Sequence, residues 1–204
     1  MKKKTSLGRR SQRGFTLVEL GIVTIVLVVL VALAVPQIQS YIIAGRVPSS
    51  GQDLTKAIVQ LKQQAATSPS PTPFATVPGI EKLLANTNFA VSGTTVNHSL
   101  GAQAGQVTLA TVGTGASAAI TVWGVHPAAC PSLAGTLAKA ADVIEIGQGG
   151  TADAPAAPAA AAAVPTATST NVVKIPSSPY SAAAAQGACD TGGNHNYMRF
   201  YIGA

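Results

Sequence analysis

Acidic side chains are scarce in this chain: seven Asp and Glu among 204 residues, against thirteen Lys and Arg. Acid and base work by neighbouring carboxylates has one place to sit, the close pair Asp142 and Glu145, and that pair reads better as a solvated helix end. No P-loop, nucleophile elbow or zinc-binding helix motif is present. The expectation is a protein that is not an enzyme and needs no cofactor. Histidine and cysteine are rarer still, three and two residues. The one metal set they offer is His126, Cys130, Cys189 and His195, whose spacings are not those of a compact zinc finger. Aromatic residues make up 4% of the chain. Tyr197, Phe200 and Tyr201 have only Arg199 interleaved among them, a poor surface for stacking single-stranded nucleic acid.

What the chain does have is a long apolar run. Residues 15–35 contain one ionisable side chain, Glu19, and as a helix these 21 residues would extend about 31 Å. That matches the roughly 30 Å hydrocarbon core of a bilayer. Lys2, Lys3, Lys4, Arg9, Arg10 and Arg13 precede the run and no basic residue follows until Arg46. The positive-inside bias then keeps the N-terminus cytoplasmic and sends the remainder across the membrane. The formal charge of +6 has the same origin, because six of the thirteen basic residues lie in residues 1–14 and the other seven balance seven acids. The basic balance is therefore a targeting signal, and binding of nucleic acid is not expected, since that needs Lys and Arg clustered on a folded surface.

The junction Arg13-Gly14-Phe15-Thr16-Leu17-Val18-Glu19, with Pro36 closing the apolar stretch and Tyr41 beyond it, resembles the class III signal and N-terminal helix of type IV pilins and pseudopilins. The likeness is close over residues 9–45 and one of layout elsewhere. It implies that residues 1–14 are a leader removed by a prepilin peptidase between Gly14 and Phe15, and that Phe15 is N-methylated. It also implies that the apolar helix anchors the precursor in the inner membrane, then forms the core of a homo-oligomeric filament built by an inner-membrane assembly platform. An unpaired carboxylate is costly in an apolar surrounding. The resemblance gives Glu19 the assembly role, with the new α-amino group of a neighbouring Phe15 as its partner. A competing reading is an ordinary secretory signal, for which Ala32-Leu33-Ala34 offers a small-x-small site. The apolar run is longer than the usual 7 to 15 residues of such signals.

The helix departs from the family in having Val28 where many relatives carry glycine. Pro36 is then expected to supply the kink, since it removes a donor and crowds the preceding turn. Gly45, Pro48 and Gly51 predict a break within residues 45–51, with a second helix restarting at Ser50 to Asp53 under a side-chain cap. Leu54, Ala57, Ile58 and Leu61 fall at helical spacing and should pack on a sheet. The helical spine is thus residues 15–66, and Thr67-Ser68-Pro69-Ser70-Pro71-Thr72-Pro73 ends it, because alternate prolines favour extended backbone.

Residues 67–204 read as an exported α+β head, giving the pilin-like architecture of a long hydrophobic helix on a C-terminal antiparallel sheet. A turn of helix is expected at residues 80–85, and strands at 89–92, 106–112, 118–125, 143–146 and 197–202. Gly113-Thr114-Gly115 reads as a hairpin turn, and residues 131–141 as a helix with proline in its first turn. The low-complexity Gly, Ala, Pro and Thr of residues 147–170 are expected to form a flexible exposed excursion. Trp123 is read as core and His98 as a solvated loop residue. In an oxidising compartment the even pair Cys130 and Cys189 favours a disulfide over the metal set. Two other outcomes share much of this pattern: a minor pilin or secretion pseudopilin, and a membrane-tethered binding module that never polymerises. Adhesion, motility and surface attachment are the roles the resemblance implies, with a periplasmic head before assembly and a surface pilus after it.

Overall fold

The computed structural model describes residues 16–101, 105–150, 156–166, 169, 171–189 and 195–203. The Gly14-Phe15 junction lies outside them. The chain divides into two compact units, Met1–Ile38 and Gln39–Ala204.

One helix, α1 (Leu17–Thr67), accounts for 51 residues. The break expected at residues 45–51 does not occur, and no second helix restarts there: the helix continues through Pro36, Gly45, Pro48 and Gly51. Packing outweighs propensity here. From Ile43 onward α1 buries Ile43, Val47, Leu54, Ala57, Ile58 and Leu61, and each large aliphatic side chain so buried contributes about 1.5–3 kcal/mol. A glycine in a helix costs only about 1 kcal/mol and a proline about 3. Ser50 and Asp53, read as caps, are instead buried within α1. Asp53 accepts bonds from Asn88 N at 3.1 Å, Asn88 Nδ2 at 3.0 Å and Lys56 Nζ at 3.3 Å. Burial pushes its carboxyl up, and those bonds outweigh burial and hold it below the usual value.

Gly51 is a contact residue rather than a breaker. A Cβ built there would lie 2.7 Å from Thr136 Cγ2, so the missing side chain is what lets α1 approach α3 (Cys130–Leu137). Gly51→Val is expected to destabilise the protein by about 1–3 kcal/mol through overpacking. Gly45→Ala, where an added methyl meets nothing within 4 Å, is expected to be neutral or stabilising by up to about 1 kcal/mol. Urea titration of both variants checks the contrast.

In Gln39–Ala204 the chain adds α2 (Ile80–Leu83), β1 (Ala90–Ser92), β2 (Thr95–His98), β3 (Gly105–Val112), β4 (Ser117–Val125), β5 (Val143–Gln148), β6 (Val172–Lys174), α4 (Ala182–Cys189) and β7 (Asn196–Ile202). The fold class is α+β, as expected. The sheet has seven strands in the order β1-β2-β3-β4-β7-β5-β6, every pairing antiparallel. Gly113-Thr114-Gly115 does turn the β3–β4 hairpin, with φ of +58°, +59° and +97°, a left-handed run that glycine tolerates at its two ends. The C-terminal strand enters the middle of the sheet, between β4 and β5. The bulge in β4 falls at Gly124, where the register to β7 shifts between Trp123 and Val125 and φ is +77°.

Side chains alternate across this sheet as strand geometry requires. Ile120, Val122, Ile144, Ile146, Met198, Phe200 and Ile202 face the large core with α1 and α3. Val112, Ala119, Val143 and Tyr201 form a smaller cluster, against which Ala161, Val164, Val172 and Ile175 pack. Residues 156–166 are therefore not a free excursion, although most of them remain exposed. Trp123 is also a correction: it is half-buried and lies outside the large core.

Cys130 and Cys189 form a disulfide with Cα atoms 5.8 Å apart, joining the start of α3 to the end of α4. Ser181 caps α4, its Oγ accepting the Ala184 N–H at 3.2 Å. Lys174 Nζ donates to the carbonyls of Ala138, at 2.6 Å, and Ala141, the first at the end of α3 and the second in the turn that follows it. Replacing both cysteines by serine is expected to cost about 2–4 kcal/mol, since the bridge closes a long loop of the unfolded chain. The fall in melting temperature measures it.

Candidate functional site

The segment given the assembly role begins with a cap. Thr16 precedes α1 and its Oγ1 accepts the Glu19 N–H at 3.2 Å, while its carbonyl accepts the Leu20 N–H at 3.1 Å. Thr16-Leu17-Val18-Glu19 has the spacing of a capping box, Thr at the cap and Glu three residues later. The sequence signal for this was present and was not read. Glu19 itself is exposed, and its carboxylate lies in the first turn, where the helix dipole favours negative charge.

Beyond the cap, α1 carries exposed apolar side chains. Leu17, Leu20, Ile25, Val28, Leu33 and Ile38 are all more than half exposed. The helix contains one stretch long and apolar enough to cross a membrane, and none of that stretch is buried. Pro36 lies within α1, its backbone helical.

A second polar cluster lies on the sheet face away from α1. Glu145 and Arg199 are register partners on β5 and β7, and Arg199 Nη1 stands 3.3 Å from Glu145 Oε2. The Tyr197 hydroxyl donates to Glu145 Oε1 at 3.0 Å and the Tyr201 hydroxyl to Oε2 at 2.8 Å. Arg199 also stacks over the Tyr197 ring, 5.1 Å from its centre, and donates through Nη2 to the Ala159 carbonyl. Burial, followed by the adjacent Glu145 carboxylate, pushes both tyrosine hydroxyls above their ordinary pKa. Asp142 belongs elsewhere, paired with Lys62 at 2.7 Å and accepting the Gly203 N–H at 2.8 Å. Asp142 and Glu145 thus form no couple, and Glu145 is not at a solvated helix end. This arrangement serves as a clasp that holds residues 156–166 to the sheet.

The three histidines, far apart in sequence, come together. His98 lies on β2 and is 5% exposed, not solvated in a loop. Its Nε2 bonds the Trp123 carbonyl at 2.8 Å and its Nδ1 accepts the Leu100 N–H at 3.1 Å. His126 Nδ1 accepts the Ala128 N–H at 3.1 Å, and its ring centre lies 6.3 Å from that of His195. His195 is buried, and neither ring nitrogen has a hydrogen-bond partner among the described residues. With both sulfurs in the disulfide, the Cys2His2 set is not assembled. Among the described residues no three His, Cys, Asp or Glu side chains gather as metal ligands. A cavity of about 680 Å³ between β5, β6 and α4 has no charged side chain in its lining.

No protein-family model matches this chain, and no curated protein matches it.

Proposed function

We propose that this chain is a prepilin whose processed form polymerises through α1 into a type IV pilus-like filament. The observation that carries the reading is the division of α1 into two environments. Its C-terminal half fills the core of the head, while the apolar side chains from Leu17 to Ile42 are left exposed, a surface that demands lipid or other helices as solvent. The basic leader and Gly14-Phe15 junction add to that support. On this reading the prepilin peptidase frees and methylates Phe15, the inner membrane holds the subunit through residues 15–35, and an assembly platform extracts it into the filament. Glu19 sets the register by meeting a neighbour's terminal amine, and burial along the helices supplies most of the stabilisation. Minor pilins and secretion pseudopilins share all these features and differ in copy number, so sheared surface fractions seen by electron microscopy separate long filaments from none.

The cap at Thr16 favours a second reading, a membrane-tethered exported domain that stays monomeric. Capping-box spacing would give Glu19 a local purpose that needs no neighbour. Mass spectrometry of the N-terminus of protein from the native membrane tests the proposal first. A terminus at Phe15 carrying one methyl group is the expected result; a terminus at Val35 would mean a secreted domain and would end the filament reading.

A further inference from the structure

The histidines His98, His126 and His195 offer a feature that the filament reading does not use. Two of them make the same local bond: His98 Nδ1 accepts from Leu100 N and His126 Nδ1 from Ala128 N, each holding the amide two residues ahead. The two turns are tied together, because the Leu100 carbonyl accepts the His126 N–H at 2.9 Å. The His126 carbonyl in turn accepts the N–H groups of Ala129 at 2.9 Å and Cys130 at 3.2 Å. A continuous chain of bonds therefore runs from the end of β2 to the disulfide at the start of α3. A nitrogen that accepts a hydrogen bond has its lone pair engaged, so both links require neutral imidazole.

We propose that this chain is an acid-sensitive latch, closed while His98 and His126 are neutral and opened at the β2 to α3 junction when they are protonated. A proton on Nδ1 would set two N–H groups against each other in either link; at His98 it would also leave the buried Leu100 N–H without a partner, whereas the Ala128 N–H is exposed and can turn to water. Among the described residues the cationic ring would also find no compensating charge nearby. Among the described residues, β2, β3, β4, α3 and α4 carry no acidic or basic side chain other than His98. On α2, which packs on β2 and β3, Lys82 is exposed and Glu81 lies against Gly79. Glu145 and Arg199 on β5 and β7 are tied to each other, as are Asp53 with Lys56 and Lys62 with Asp142 on the α1 side. Arg46 on α1 is exposed. Asp190 lies outside the described residues. His195 presents a third imidazole to the other two, so each added charge opposes the next.

Burial, partly offset by the Trp123 carbonyl, depresses His98 to about 4. Burial and then His195 depress His126 as well. The sign follows from a folded value below the unfolded one, about 6.5. The latch is fully closed above that pH and loosens as pH falls through 6.5 toward 4. For His98 alone the full span corresponds to roughly a 300-fold change in the opening equilibrium.

The test is hydrogen exchange on the full chain in detergent between pH 7.5 and 4.5, corrected for intrinsic rates. Protection of the Leu100, Ala128 and Cys130 amides should fall with pH ahead of the β7 amides. In the double variant His98→Asn, His126→Asn the side-chain oxygen keeps the bond to the amide two residues on, as in an Asx-turn, and cannot titrate. Its protection at those amides should be flat across the range. Equal pH response in wild type and variant, or none in wild type, overturns the proposal. Should the variant fail to fold, ¹⁵N shifts of the wild-type imidazoles decide: neutral rings with Nδ1 unprotonated at pH 6 support the latch, and cationic rings at that pH refute it.

Discussion

Glu145→Ala is expected to lower the stability of the protein by about 3–5 kcal/mol, the cost of leaving one member of a buried ion pair without its partner. Arg199 is 7% exposed. Without Glu145 it would keep only the Ala159 carbonyl as a hydrogen-bond acceptor and the face of the Tyr197 ring, and its Nε has no partner among the described residues. The reverse change should cost less. After Arg199→Ala, Glu145 retains the hydroxyl donors of Tyr197 and Tyr201, and a carboxylate accepting two hydrogen bonds is far better satisfied than a guanidinium holding one carbonyl. Replacing the pair together, as Glu145→Ala with Arg199→Met, should cost less than Glu145→Ala alone, because no stranded charge remains. Urea titration followed through the single tryptophan, on the same face as Tyr197 and its register partner, reads all three variants. Residues 156–166 should also become open to proteolysis in both Arg199 variants, since the bond that holds their backbone is gone. An Arg199→Ala loss larger than that of Glu145→Ala would show that the clasp is held mainly by the cation over Tyr197.

The parts of this fold that are legible in the sequence are those governed by local period and local chemistry. Leu54, Ala57, Ile58 and Leu61 announced a buried helical face, and all four are buried in α1. Gly113-Thr114-Gly115 announced a hairpin, and two lone cysteines in a chain read as exported announced their bond. The parts that escaped depend on partners distant in sequence. Gly51 looks like a helix breaker until Thr136 is placed 2.7 Å from its missing Cβ. The Ala- and Pro-rich segment looks unable to order itself, and by its own side chains it is. What holds it is Arg199, forty residues on, together with Ala161 and Val164 against the small cluster around Tyr201. Strands β2 and β6, at four and three residues, are too short for an alternation to register. α4 was overlooked although Ser181 and four alanines after it are a fair helix start. In the candidate site the apolar run and Glu19 were evident, whereas the convergence of His98, His126 and His195 needed the sheet to bring three separate segments to one end.

For Glu19 the filament reading and the capping reading make different predictions, and two substitutions separate them. Glu19→Ala removes both the carboxylate charge and the side chain that a capping box uses at its third position, while keeping the backbone N–H that Thr16 Oγ1 holds. Glu19→Gln removes the charge alone, since glutamine serves a capping box as glutamate does. If Glu19 pairs with the terminal amine of a neighbouring subunit, both variants should abolish surface filaments while the processed monomer persists in the membrane. The pair's attraction in low dielectric is then lost, and the buried amine is left unpaired. If Glu19 only caps α1, Glu19→Gln should assemble as wild type and Glu19→Ala should fray the first turn at a cost of about 1 kcal/mol, too little to empty a filament held by apolar burial along a whole helix. Thr16→Ala supplies the converse: it breaks the 3.2 Å bond to the Glu19 amide and keeps the charge, so filaments should survive it. Counting filaments by electron microscopy, with subunit levels in the membrane measured alongside, reads all three. Intact filaments in Glu19→Gln would remove the charge pair from the mechanism and leave the apolar face of α1 as the sole driver of any assembly.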